Sequence, residues 1–225
     1  MIKAIAFDLD DTLIDTTHLL VPMASQAAYQ AMALKGLQTS FEIFENERRQ
    51  GALSMKHVDI FQSIAQKYSS QPSGEIAEAG ITTFYNPPLP THIPLLPGAL
   101  ENLEYLKGKY ALFLVTSGAI PTQKQKAQAT NAEHYFQKSY FLDGFKKERK
   151  RSAFQNILET LSLEPQELLA IGNRLSQEIH DAKELGCTTC YFKYGEHVGE
   201  IARNSFELPD YTIEKHSEMR GVCHL

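Results

Sequence analysis

Cysteine is scarce in this sequence: Cys187, Cys190 and Cys223 are the only three among 225 residues. So few, and an odd number, exclude a disulfide framework of the kind small secreted domains need. Cys187 and Cys190 have Cys-x-x-Cys spacing, but they lie in Cys187-Thr-Thr-Cys-Tyr-Phe192, a β-prone run just after Gly186. On a strand, positions three apart point to opposite faces, so the two read as ordinary strand cysteines rather than a zinc or redox pair. Positive charge is not in excess either, since the formal net charge is −5. That argues against a nucleic-acid partner, which needs a basic face, and leaves room for a locally positive pocket. No apolar run approaches membrane length, and the short run from Ile2 to Phe7 meets charge too soon to be a signal peptide. A cytoplasmic protein with reduced thiols is the expectation. Internal repeats and low-complexity segments are lacking, and the eight histidines show no ligand spacing. They read as surface or partly packed residues.

What is present is enough apolar material, 43% of residues, to build a real core. Ile2–Phe7 is a short β-branched and aromatic run that reads as a buried strand. Residues 19–86 contain no comparable strand and read as helices. Val58, Phe61, Ile64, Ala65 and Tyr68 fall near the period of one helical face, and Leu19, Met23, Ala27 and Leu34 form a looser stripe. Gly36, Gly51 and Ser69–Gly74 punctuate these helices. The proline-dense stretch from Asn86 to Gly98 follows as a stiff linker. Strands then alternate with helices. Tyr110–Val115, Ser139–Leu142, Leu168–Ile171 and Thr188–Phe192 read as strands, the last being the final one. The stripes Leu100/Leu103/Leu106, Ala153/Phe154/Ile157/Leu158/Leu161 and Ile179/Ala182/Leu185 read as helices. Such alternation predicts an α/β fold with a doubly wound parallel sheet, interrupted by a helical insertion. The division expected is residues 1–15 with 92–225 as the core and 16–91 as the insertion.

Ligands of such sheets bind beyond the carboxyl ends of the strands. Asp8 and Asp10 follow the first strand, with Asp11 and Thr12 behind them. Thr116, Ser117 and Gly118 follow the second. The basic stretch Lys146–Arg151 follows the third, and Gly172, Asn173, Arg174, Glu178 and Asp181 follow the fourth. Carboxylates, a hydroxyl, a lysine and an amide converging on one sheet edge suit a hard cation and a phosphoryl group. A carboxylate can attack phosphorus, a second carboxyl can carry the proton, and a lysine with a hydroxyl can hold the phosphoryl oxygens.

Taken together, Asp8-Leu-Asp-Asp-Thr-Leu13, Leu114-Val-Thr-Ser-Gly118 and Gly172-Asn-Arg-Leu-Ser-Gln-Glu178 resemble the first, second and fourth motifs of the haloacid dehalogenase-like hydrolases. Pro97-Gly98-Ala99 and Pro209–Ile213 also resemble common stretches of that family. The resemblance implies a Rossmann-like core with a helical cap that gates and selects the substrate. It implies a magnesium-dependent phosphatase acting on a small phosphorylated metabolite through an aspartyl phosphate. Asp8 would be the nucleophile and a metal ligand. Asp10 would be the general acid and base, with its backbone carbonyl on the metal. Thr116 would hold a phosphoryl oxygen, with Asp11, Ser117 and Gly118 around the phosphate. Lys150 would neutralise nucleophile and phosphate, because Lys150-Arg-Ser-Ala-Phe154 leads directly into a helix; Lys147 is the second candidate. Asp10 also points to phosphate esters, since family members that cleave carbon–halogen bonds or phosphonates lack an aspartate at that place.

One motif departs from the family pattern. Asn173 stands where an acidic metal ligand is usual, and Glu178 stands where an aspartate is usual. Weaker magnesium binding than is typical follows as an expectation. A phosphomutase of the same superfamily and a catalytically weakened binding protein are the alternatives. Arg174 reads as a surface ion-pair residue, His18 as a group near the cap hinge, and Arg48, Arg49 and Lys56 as substrate-contact candidates or a solvated helix face.

Overall fold

The computed structural model describes residues 1–52, 55–70, 72–146 and 148–225. The chain divides into two compact units, Met1–Thr16 with Pro90–Leu225, and Thr17–Leu89.

The first unit is built on a parallel sheet. Its strands are β1 (Ala4–Phe7), β2 (Ala111–Gly118), β3 (Lys138–Asp143), β4 (Leu168–Gly172), β5 (Thr188–Phe192) and β6 (Tyr211–Ile213). They lie in the order β3-β2-β1-β4-β5-β6. β1 is central, with Phe7 opposite Leu114 on one side and Ile171 on the other. Every residue of β1 is buried, as a parallel strand covered on both faces must be. The chain passes from β1 to β2 and β3 on one side, then crosses to β4, β5 and β6 on the other. The reversal point between β1 and β4 is where such sheets open a crevice at their carboxyl edge.

Helices α5 (Ala99–Lys107), α6 (Ile120–Ala129), α7 (Arg151–Leu161), α8 (His180–Lys183) and α9 (Met219–Val222) connect and follow the strands. The stripe Ala153, Phe154 and Ile157 of α7 packs with Ala6, Val115 and Ala170 in one apolar cluster. Two readings change. β2 runs on through Thr116, Ser117 and Gly118, which pair with Phe141, Leu142 and Asp143. Thr188–Phe192 is not the last strand, because β6 pairs beyond it through Tyr191 and Thr212. A three-residue edge strand is too short to show an alternating pattern. The three cysteines are buried and free, with Cys187 just before β5 and Cys190 within it.

The second unit contains α1 (Val21–Leu34), α2 (Phe41–Ala52), α3 (His57–Lys67) and α4 (Gly74–Tyr85). Its core holds Ala24, Ala28, Met32, Phe44, Ile60, Phe61, Ile64 and Phe84. Phe44 and Phe61 stack with ring centroids 5.8 Å apart. The buried face of α1 is therefore Ala24, Ala28 and Met32, not the stripe through Met23 and Leu34, which are both exposed. Small residues let α4 come close: a Cβ at Gly80 would lie 2.4 Å from the Met32 sulfur. Gly51 lies inside the last turn of α2 rather than between helices.

Arg48 is also not on a solvated face. It is 3% exposed, with Nη2 2.9 Å from Glu45 Oε1 and Nη1 3.2 Å from His57 Nε2. Glu45 further accepts from Ser25 Oγ and from Arg49 Nε, the latter at 2.7 Å. Burial raises the Glu45 pKa, but the bonds from Arg48, Ser25 and Arg49 outweigh it and bring it to about 2. The folded value is depressed, so this stabilisation is complete above about 4.5 and is lost as pH falls toward 2. Glu45→Gln is expected to cost about 2 kcal/mol at pH 7, the worth of hydrogen bonds to a charged group. In urea unfolding the gap from wild type should narrow between pH 4.5 and pH 2.5. A constant gap would mean that the charge of Glu45 does not contribute.

Among the described residues, no helix is long and apolar enough to cross a membrane.

Candidate active site

The loop after β1 is anchored by its apolar residues. Leu9, Leu13 and Ile14 are buried, and the amides of Leu13 and Ile14 return to the Leu9 carbonyl at 2.9 and 3.1 Å. Between these anchors the polar residues are held in place. The Asp8 amide donates to Ile171 O at 2.9 Å, continuing the pairing with β4. Asp11 adopts φ 53°, a left-handed conformation that aspartate tolerates better than most residues. Its side chain packs on Gly195, where a Cβ would lie 2.3 Å from Asp11 Oδ2. Only glycine fits there.

Lys150, at the N-terminal boundary of α7, reaches into this edge. It is 4% exposed, and its Nζ donates to Asp8 Oδ1 at 2.6 Å and to Glu178 Oε1. Asp8 and Glu178 are 6% and 2% exposed, so the three groups form a buried carboxylate–ammonium–carboxylate bridge. The second Glu178 oxygen accepts from the Arg174 amide at 3.0 Å. Gly172 is needed for this seat, because a Cβ there would lie 2.5 Å from Glu178 Cγ. Burial is the largest influence on Asp8 and raises its pKa. Lys150 opposes that, and Glu178 and Asp10 add to it, leaving Asp8 at about 7. The Lys150 ammonium is held charged: burial works against it, but Asp8 and Glu178 outweigh that and raise its pKa.

Asp10 is held differently. Oδ1 accepts from Thr16 Oγ1 and, at 2.7 Å, from Lys126 Nζ; Oδ2 accepts from Gln123 Nε2 at 2.6 Å. Burial raises its pKa, but the Lys126 charge and the bonds from Lys126, Thr16 and Gln123 prevail and hold it below the usual carboxylate range. The same Gln123 amide nitrogen lies 2.7 Å from Thr116 Oγ1 and 3.2 Å from Ser117 O. Thr116 is buried on β2, and Gly118 packs closely against Gly144.

Asn173 is buried after β4, with Nδ2 3.4 Å from the Tyr194 carbonyl. Arg174 lies 3.5 Å from Glu200 and 3.0 Å from His197 Nε2, as an ion-pair residue would. Asp181 turns to Arg149, whose Nε donates to it at 2.9 Å. His180, Asp181 and Glu184 come within 4.8 Å of one another, but the Arg149 guanidinium already binds all three, and Arg151 Nε lies 3.7 Å from Glu184. Lys147 lies outside the described residues.

Asp8, Lys150 and Glu178 are thus bonded to one another, and Asp10 and Thr116 are joined through Gln123. Three supporting residues escape the sequence reading. Gln123 and Lys126 lie on α6 with no motif to mark them. His216 is not a surface or partly packed histidine: it is 1% exposed, and its Nε2 lies 2.7 Å from the Thr12 carbonyl. Asn102 Nδ2 donates to the His216 carbonyl at 2.7 Å, and Phe192 packs on its ring at 4.7 Å. An isolated histidine gives no periodic signal of such burial.

Comparison with known proteins identifies the family of the chain. The family described as haloacid dehalogenase-like hydrolase matches residues 2–186. A glyceraldehyde 3-phosphate phosphatase of Pyrococcus furiosus is 29% identical, over 98% of this chain and 92% of that protein. Its counterpart in Pyrococcus abyssi is 30% identical, over 87% and 83%. The fold is shared with the magnesium-bound structure of YfnB from Bacillus subtilis, at a TM-score of 0.67 and 18% identity, covering 98% of this chain and 97% of that one. With a doubly wound sheet, an inserted helical unit and carboxylates gathered at the switch point, the chain belongs to the haloacid dehalogenase-like hydrolases and is a phosphatase among them.

Proposed function

We propose that this phosphatase hydrolyses a small phosphate monoester in two displacements on Asp8, with magnesium as its cofactor. The observation that carries the reading is the buried Lys150 bridge from Asp8 to Glu178. It sets a carboxylate, backed by an ammonium group, at the end of the central strand and beside β2, which carries Thr116. In the first displacement an Asp8 oxygen attacks phosphorus. The ester P–O bond breaks, and the leaving oxygen takes a proton from Asp10. In the second, water attacks phosphorus and gives a proton to Asp10. The bond between Asp8 and phosphorus breaks, releasing inorganic phosphate and restoring the carboxylate. Thr116 and Lys150 hold the phosphoryl oxygens as charge spreads over them. The resting arrangement, with Lys126 on Asp10, suits the second displacement, where Asp10 must be ionised.

Asp8, the Asp10 carbonyl, Asn173 and Glu178 would hold the ion. All are oxygen donors, as magnesium requires. Two observations support the fit. Three carboxylates, Asp8, Asp10 and Glu178, meet only two ammonium groups, Lys126 and Lys150, and the neighbouring Glu178 and Asp10 charges add to the effect of burial in raising the Asp8 pKa. The Asn173 amide nitrogen is engaged by Tyr194, which leaves Oδ1 for a cation. When bound, the ion lets two anions approach each other.

Glyceraldehyde 3-phosphate is the first substrate to test, because relatives at 29% and 30% identity carry that activity. The experiment is phosphate release from it and from a panel of small phosphate monoesters, with and without magnesium, for wild type and Asn173→Asp. Metal-dependent turnover is expected, with a lower half-saturating magnesium concentration in Asn173→Asp. Turnover of no phosphate monoester would overturn the reading, and an unchanged magnesium requirement would remove Asn173 from the ligand set.

A further inference from the structure

Asp10 faces α6, and α6 presents two donors one turn apart. Residues at i and i+3 lie on the same helical face, so Gln123 and Lys126 point together. Between them they reach both Asp10 oxygens: Gln123 Nε2 is 2.6 Å from Oδ2 and Lys126 Nζ is 2.7 Å from Oδ1. The Gln123 amide nitrogen is at the same time 2.7 Å from Thr116 Oγ1. Gln123 is buried and Lys126 nearly so, with 11% of its side chain exposed. A buried amide that touches two separate site residues fixes their relative position. A carboxylate with a donor on each oxygen has lost its free rotation.

We infer that Gln123 is a positioning residue that aims Asp10 at the ester oxygen of the substrate and holds it in register with Thr116. The inference rests on the reading of Asp10 as the proton carrier. Aim matters for proton transfer, because an acid works only within hydrogen-bond reach of its target. It matters most when the leaving oxygen is an alkoxide, which cannot depart without a proton. It matters least when the leaving group is p-nitrophenolate, which is stable as an anion. A merely structural contribution would lower both reactions alike.

The test measures kcat/KM, which covers only the steps through the first P–O cleavage. Glyceraldehyde 3-phosphate and p-nitrophenyl phosphate are compared in wild type, Gln123→Met, Gln123→Asn and Asp10→Asn. Gln123→Met is expected to lose at least ~10-fold more on glyceraldehyde 3-phosphate than on p-nitrophenyl phosphate, as a misplaced acid should. Asp10→Asn should show the same pattern more strongly. Equal losses on the two substrates, with Asp10→Asn still discriminating between them, would overturn the positioning role alone. Equal losses in Asp10→Asn itself would overturn the acid reading and the inference with it. If Gln123→Met fails to fold, Gln123→Asn, which keeps the amide but falls one methylene short of Asp10, decides the matter by the same ratio.

Discussion

Asp8→Asn is expected to lower phosphate release by ~10³-fold or more, the scale seen when a nucleophile is removed from a concerted site. The amide is a poor nucleophile and cannot form the phosphoryl intermediate. The variant should nonetheless fold, and its thermal midpoint without magnesium should be no lower than that of wild type. Asp8 is buried among Glu178 and Asp10, and its charged form is disfavoured up to about pH 7. Replacing it by a neutral isostere relieves that repulsion and leaves Lys150 paired with Glu178. Activity lost with stability kept separates chemistry from folding. Residual turnover above a few per cent would remove Asp8 as the attacking group.

Lys150→Met carries the second large effect, on stability as well as activity. It leaves two buried carboxylates, Asp8 and Glu178, without their shared cation. Breaking a buried ion pair from one side costs about 3–5 kcal/mol, because the remaining charge stays desolvated. For a chain of this size that is a fall in thermal midpoint of roughly 6–20 °C. The double variant Lys150→Met with Asp8→Asn should recover part of the loss, since one of the stranded charges is gone. A double-variant cycle in a chelating buffer measures the coupling. If the effects of the two substitutions simply add, the bridge is a contact without energetic consequence.

Much of the sheet was legible because a parallel strand covered on both faces must be apolar along its length. Ala4–Phe7, Leu112–Val115 and Leu168–Ile171 stand out for that reason, and the polar residues beyond them mark the edge where the site forms. Lys150 was named only through the family resemblance, because the residues alone left it one of several cations in Lys146–Arg151. The supporting groups were not legible. Gln123 and Lys126 meet Asp10 across 113 and 116 residues, and on α6 they look like any polar helix surface. The buried face of α1 was hidden for a different reason. Its packing depends on how close a neighbour can come, which small residues such as Ala24, Ala28 and Gly80 decide. Hydrophobic periodicity weights large residues, so Met23 and Leu34 drew attention although they point outward. Arg48 and His216 are polar groups buried with partners, and a charge or a ring in the sequence carries no sign of its partner.

The bond from His216 to the Thr12 carbonyl spans 204 positions of chain. During synthesis the loop that carries Asp8 leaves the ribosome first, and the histidine that backs it follows only after every strand through β6 has been made. β1 itself must wait for β2 and β4 on its two sides. Contacts so distant in sequence form late, because the chain entropy of closing the loop is lost before they contribute anything. Asp8 is therefore the earliest residue of the candidate site to be made and among the last to be properly seated. A partly made chain has no working site, and phosphate release reports on completed folding.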